Sequence, residues 1–146
     1  MNIESLYEIF SSHSTVSTDT RTISDGCLFF ALKGENFNGN KFAKDALEKG
    51  AAYAIIDESE YQTSEQYILV EDVLQTLQKL ANHHRKQFSI PFIGITGTNG
   101  KTTTKEFINA VLSKKYKTTY TQGNLNNHIG VPLTLLSIPS NCEIAI

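Results

Sequence analysis

The segment that most restricts the fold of this chain runs Pro91-Phe92-Ile93-Gly94-Ile95-Thr96-Gly97-Thr98-Asn99-Gly100-Lys101-Thr102-Thr103. A short apolar run passes into a glycine-containing polar stretch, then into a segment with apolar Phe107, Ile108, Val111 and Leu112 at helical spacing. That order predicts a buried strand, a tight loop and a helix from Thr102 to about Lys115 with one apolar face. A further strand beginning in Tyr116–Gln122 makes it the start of a βαβ unit. Such a unit commits the chain to an α/β fold, a parallel sheet covered by helices. The loop also carries chemistry. Glycines let backbone N–H groups turn toward a phosphate chain without Cβ clashes, and a helix start adds unpaired N–H groups and a positive dipole end. Gly97, Thr98, Asn99, Gly100, Lys101, Thr102 and Thr103 are therefore the expected nucleotide-binding residues. Lys101 is the expected catalytic cation, reaching the β- and γ-phosphates, and Thr102 the expected Mg²⁺ ligand. The general pattern G-x-x-x-x-G-K-[ST] would place glycine at Ile95, so a loop opening at Gly97 is a variant. The competing reading is a glycine-rich turn with an incidental lysine.

Upstream, Ile3, Leu6, Tyr7 and Phe10 have helical spacing, and Cys27–Leu32, Ala51–Asp57 and Tyr67–Val70 read as buried strands. Gly34–Gly39 reads as a loop, with Asn40 as the cap of a helix through Phe42, Ala43, Ala46 and Leu47. Asp72 with Gln75 three residues on resembles a capping box, opening a helix to about Phe88 that Pro91 terminates. The expected boundary lies in Gln87–Pro91. Residues 1–88 would form a small α/β domain, and residues 89–146 the first part of a P-loop-type parallel-sheet domain, too few to complete one. The final run Cys142-Glu143-Ile144-Ala145-Ile146 is apolar with no turn after it, as in a strand cut short.

Composition excludes several classes. Thirteen Lys and Arg against fifteen Asp and Glu give a net charge of −2. So balanced a chain has no global field for nucleic acid or an anionic membrane, and any phosphate must be bound locally. No run approaches the ~18 apolar residues of a membrane span, and the N-terminus lacks a basic stretch followed by an apolar one. A cytoplasmic protein with Cys27 and Cys142 as free buried thiols is the expectation.

Thr96 to Thr103, TGTNGKTT, resembles the ATP loop of the Mur ligase family and of the related folylpolyglutamate synthetases. The run Gly123-Asn124-Leu125-Asn126-Asn127-His128-Ile129-Gly130-Val131-Pro132-Leu133-Thr134 is most similar to one branch of that family, the one that joins D-alanyl-D-alanine to UDP-N-acetylmuramoyl tripeptide in peptidoglycan synthesis. Thr18-Asp19-Thr20-Arg21 and Gly26–Glu35 are similar to the family's uridine-nucleotide-binding domain. The family often has D-G-H where this chain has Asn38-Gly39-Asn40. The resemblance implies an ATP- and Mg²⁺-dependent amide ligase working through an acyl phosphate, a monomer when full length. The small-molecule partners it implies are UDP-N-acetylmuramoyl tripeptide and D-alanyl-D-alanine. It also implies that an acidic Mg²⁺ ligand, the adenine contacts and the amine-binding domain lie beyond these residues, so that this stretch alone is inactive.

Substrate-binding candidates carried by the resemblance are Thr18, Asp19, Thr20, Arg21, Lys33 and Gly34 for the uridine nucleotide, and Asn124, Asn126 and Asn127 for the γ-phosphate and muramoyl peptide. Each has a plainer reading. Asp19 and Arg21 could pair as an exposed salt bridge worth little, and the asparagines could serve turn geometry. His128 reads as a solvated loop residue. His83 and His84 point about 100° apart on a helix with no further ligand at metal spacing, and read as surface or boundary residues. Rival functions are a ligase of the same family adding the third amino acid, a folylpolyglutamate synthetase, and a non-catalytic sugar-nucleotide-binding module.

Overall fold

The computed structural model describes every residue from Met1 to Ile146. It is a mixed α/β structure built on parallel sheets. In chain order the elements are α1 (Ile3–His13), β1 (Val16–Ser17), β2 (Leu28–Phe30), β3 (Lys33–Gly34), β4 (Phe37–Asn38), a 3₁₀ turn (Gly39–Phe42), α2 (Ala43–Glu48), β5 (Tyr53–Ile56), a 3₁₀ turn (Ser59–Tyr61), β6 (Tyr67–Leu69), α3 (Val73–Lys86), α4 (Lys101–Leu112), β7 (Thr118–Thr119), α5 (Gly130–Leu136) and β8 (Ile144–Ala145).

Strands β1, β2, β5 and β6 form one sheet in that order, all parallel. Side chains alternate across it with a period of two. Leu28, Phe30 and Ile55 enter a core completed by Leu6 and Phe10 of α1 and Leu77 and Leu80 of α3. Phe29, Ala54 and Ile56 enter a second core with Ala43 and Ala46 of α2. Because both faces are covered, these strands read in the sequence as unbroken apolar runs. At the start of α3, Asp72 Oδ1 accepts from the Gln75 N–H at 2.8 Å, while the Gln75 amide donates to Asp72 Oδ2 at 3.2 Å. The expected reciprocal bond to the Asp72 backbone is thus replaced by a side-chain contact.

The second region holds a smaller parallel sheet. Thr118 and Thr119 pair with Ile144 and Ala145, and Phe92 forms a single parallel bridge to Ala145. The expected strand Pro91–Thr96 is thus reduced to one bridge. β8 lies between it and β7, so the strand preceding the asparagine loop is not the neighbour of the strand preceding Gly97. The two strands of the expected βαβ unit are thus separated by a strand from later in the chain. The region docks on the first through α5, which packs along α3 and sends Leu136 into the α1–α3 core. Both cysteines are free and buried.

Two further expectations change. Lys33–Gly34 and Phe37–Asn38 pair as a short antiparallel hairpin within the expected Gly34–Gly39 loop. Asn40 does not cap the following helix. It is buried, and the cap of the 3₁₀ turn is Asn38, whose side chain accepts from the Asn40 N–H at 3.0 Å.

Candidate functional site

In parallel sheets, loops following the strands share one edge, where ligands of α/β proteins bind. Both regions place candidate residues there. After the Phe92 bridge the chain turns through Gly97 (φ +146°) and Gly100 (φ +79°) into α4. A side chain would be strained at both angles, and Gly100 forms the left-handed N-cap with no capping side chain. The first N–H groups of α4 are consequently left for a ligand or water. Lys101 Nζ donates to the Gly97 carbonyl at 2.5 Å, closing the loop on itself. Thr102 Oγ1, one residue on, lies 3.5 Å from Asn124 Oδ1 in the loop after β7.

Gly97, Lys101, Thr102 and Asn126 line a single cavity of about 470 Å³. Thr98, Asn99, Gly100 and Thr103 belong to the same turn and helix start but do not line it, and Asn124 reaches it only through Thr102. Asn127 faces elsewhere. Its Oδ1 accepts from the Ile129 N–H at 3.0 Å and the Gly130 N–H at 2.7 Å, so for this residue the turn reading holds. His128 is exposed. The chain has no cluster of three or more His, Cys, Asp or Glu fit for a metal. The Thr102 hydroxyl could contribute one ligand to a magnesium ion whose other oxygens came largely from a nucleotide and water.

The sequence reading missed Lys105. It sits one helical turn after Lys101 on the same face of α4, lines the same cavity and is buried. Its ammonium donates to the Thr121 carbonyl at 2.5 Å and the Gly123 carbonyl at 3.1 Å. The signal was the i,i+4 spacing from Lys101.

None of Thr18, Asp19, Thr20, Arg21, Lys33 or Gly34 lines this cavity. They occupy the carboxyl edge of the four-stranded sheet, after β1 and β2, and no side-chain hydrogen bond joins the Thr18–Arg21 turn to the hairpin. Arg21 donates from Nε and Nη2 to the Asp19 carboxylate, at 3.0 and 2.6 Å, forming the exposed pair. The Arg21 contacts hold Asp19 at about 2, well below the usual carboxylate range. Lys33 Nζ lies 3.0 Å from Asp57 Oδ1 and 3.3 Å from Glu58 Oε1, which raises its pKa. Asp57, another residue the sequence reading missed, is the centre of this network. Burial pushes its carboxyl up, but donation from Asn40 Nδ2 at 2.9 Å, from Lys33 and from the Val73 N–H outweighs burial and holds it below its ordinary value. His84 is buried where α1, α3 and the end of α5 meet. Its Nδ1 pairs with the Tyr7 hydroxyl at 3.0 Å and its Nε2 with the Ile138 carbonyl at 3.3 Å, a boundary role rather than a metal one.

A parallel sheet whose strand turns through two left-handed glycines into a helix headed by Lys101 and Thr102 defines an α/β protein of the P-loop type. Two family profiles match: "Mur ligase family, catalytic domain" over residues 13–85 and "Mur ligase middle domain" over residues 95–146. The chain belongs to the Mur ligase family. It is 47% identical over 90% of its length to the UDP-N-acetylmuramoyl-tripeptide–D-alanyl-D-alanine ligase of Bacillus subtilis, covering 29% of that protein. To the ligase of the same name from Escherichia coli it is 40% identical, with the same two coverages. A crystal structure of MurF ligase from Thermotoga maritima in complex with ADP superposes with a TM-score of 0.79 at 35% identity, over 90% of this chain and 30% of that one. The chain thus spans about three-tenths of the length of the relatives it matches.

Proposed function

We propose that these residues form the uridine-nucleotide-binding part (1–88) and the beginning of the ATP-binding part (89–146) of a cytoplasmic, monomeric ligase. That enzyme would join D-alanyl-D-alanine to UDP-N-acetylmuramoyl tripeptide. The observation that carries the reading is the Gly97–Thr102 turn, with Lys101 and Thr102 opening onto the 470 Å³ cavity. It is supported by the likeness to relatives of that name along nine-tenths of the chain. ATP, when bound, supplies the phosphoryl group that activates the peptide carboxylate, and Mg²⁺ screens its phosphates. The residues of this chain position and neutralise. Backbone N–H groups from Gly97 to Thr103 receive the phosphates. Lys101, which here donates to the Gly97 carbonyl, would neutralise the phosphate end of the nucleotide, and the Thr102 hydroxyl would supply one ligand to Mg²⁺. Asn124 and Asn126 present neutral amides, which can donate to phosphate and accept from peptide N–H groups. The Thr18–Arg21 turn and the Lys33–Gly34 hairpin would meet the uridine nucleotide at the other sheet edge.

The test is Lys101→Ala in the complete polypeptide that carries this sequence. Loss of a charged phosphate contact of this kind is worth about 10²-fold or more in turnover, with sugar-nucleotide binding unchanged. Turnover within a few-fold of the parent overturns the assignment of the loop.

A further inference from the structure

Lys105 has no part in the reading above, yet it is the most deeply buried charged side chain, 7% exposed. A lysine so placed is costly unless its donors are used. Here they are used on backbone. The Thr121 and Gly123 carbonyls flank Gln122 and converge on one ammonium, with Glu106 Oε1 at 3.4 Å and the Tyr120 ring centroid at 5.5 Å. An apolar side chain would suffice to fill this place between α4 and the sheet. It could not satisfy two carbonyls in a segment whose last ladder bond is the one from the Thr121 N–H to the Ile146 carbonyl, at 2.9 Å. The far side of that segment is anchored too. A Cβ at Gly130 would lie 2.5 Å from Leu125 Cα, so the α5 start can approach this closely only as glycine, and Asn127 caps the turn. Between the two anchors lie Asn124 and Asn126. The Asn126 side chain has no protein partner, and Asn124 has only its 3.5 Å contact with Thr102. Both are held by their backbone and free to meet a ligand.

We propose that Lys105 is a positioning residue. By clamping the Thr121 and Gly123 carbonyls to α4, it fixes Asn124 and Asn126 beside Lys101 and Thr102. A compact ammonium suits two carbonyls converging on a point, where a planar guanidinium does not. The clamp deepens the ligase reading and rests on it for its catalytic consequence only.

The test compares Lys105→Met with the parent in the complete polypeptide. Hydrogen exchange in 121–126 should accelerate at least tenfold while that of 97–102 is unchanged. kcat for ligation should fall at least tenfold, with KM for ATP and Kd for ADP·Mg²⁺ within twofold. Parent-like exchange or parent-like kcat overturns the proposal. So does a loss of ADP affinity in step with melting temperature, which marks Lys105 as general support of the fold. Should the Met variant not fold, Lys105→Arg decides by the same readouts: selective loosening of 121–126 supports the clamp, and loosening across all of α4 overturns it. If the parent itself fails to ligate, the ligase reading falls, and the exchange experiment still decides the clamp.

Discussion

The two regions solve the same problem, holding polar groups at the edge of a parallel sheet, by different means. In the first, the sheet is buried on both faces, and its edge is fixed by side chains bonded to one another. Asp57 receives Asn40, Lys33 and the α3 backbone, and the Lys33 charge is already paired. In the second, a smaller core around Ile138, Cys142 and Ala145 supports two-residue strands. Edge geometry there comes from backbone: left-handed glycines, a lysine closed onto Gly97 and a second lysine clamping a loop. Packing makes the first edge rigid before any ligand arrives. The second keeps its cation and its asparagine amides loosely engaged, as a site must if it is to exchange protein contacts for phosphate.

The contrast is broken most directly by removing packing from the first region. Phe30 is fully buried in the α1–α3 core. Phe30→Ala should cost about 3–5 kcal/mol through lost transfer energy and a cavity, measured by urea unfolding with an unchanged slope. A loss below about 1.5 kcal/mol would mean that the four-stranded sheet is not what makes its edge rigid.

That core was largely legible in the sequence, because strands buried on both faces leave unbroken runs such as Cys27–Leu32. What escaped depended on partners distant along the chain. Asn40 looked like a helix cap because its spacing to Ala43 and Ala46 is local, whereas its real partner, Asp57, is 17 residues away. Pro91–Thr96 bridges to β8, and although the final apolar run reads as a strand, its place between two earlier segments is set by long-range pairing that local pattern does not carry. The glycine loop was legible since its requirement, positive φ, belongs to single residues. Lys105 was legible in its spacing from Lys101 and was passed over because α4 was read for its apolar face alone.

A smaller effect should come from the junction between the regions. Burial lowers the pKa of His84 below its ordinary 6.5, the Ile138 carbonyl opposing and His83 adding to the shift. The unfolded chain therefore binds more protons than the folded one between the folded value and about 6.5. Stability from this group is complete above about 6.5 and is lost as pH falls below it. The urea midpoint should decrease from pH 7.5 to 5.5, and His84→Gln should flatten that decrease. The Asp57 contribution is lost only below its ordinary 3.8 and does not interfere. A variant with the parent's full pH dependence would show that His84 is not the group responsible.

The smallest effect should come from the outer face of α4. The expected single apolar face is divided: Ile108 and Leu112 are half-buried, while Phe107 and Val111 are 69% and 70% exposed. An aromatic ring left in water gains almost nothing from folding, and serine has nearly the helix propensity of phenylalanine. Phe107→Ser should therefore change the unfolding free energy of this chain by no more than about 0.5 kcal/mol. The same substitution at Phe30 would remove a ring that touches two helices and a neighbouring strand. If Phe107→Ser costs more than about 1.5 kcal/mol, the α4 face is covered in solution. The second region would then owe its stability to packing as the first does, and the contrast between a packed edge and a backbone-built one would fail.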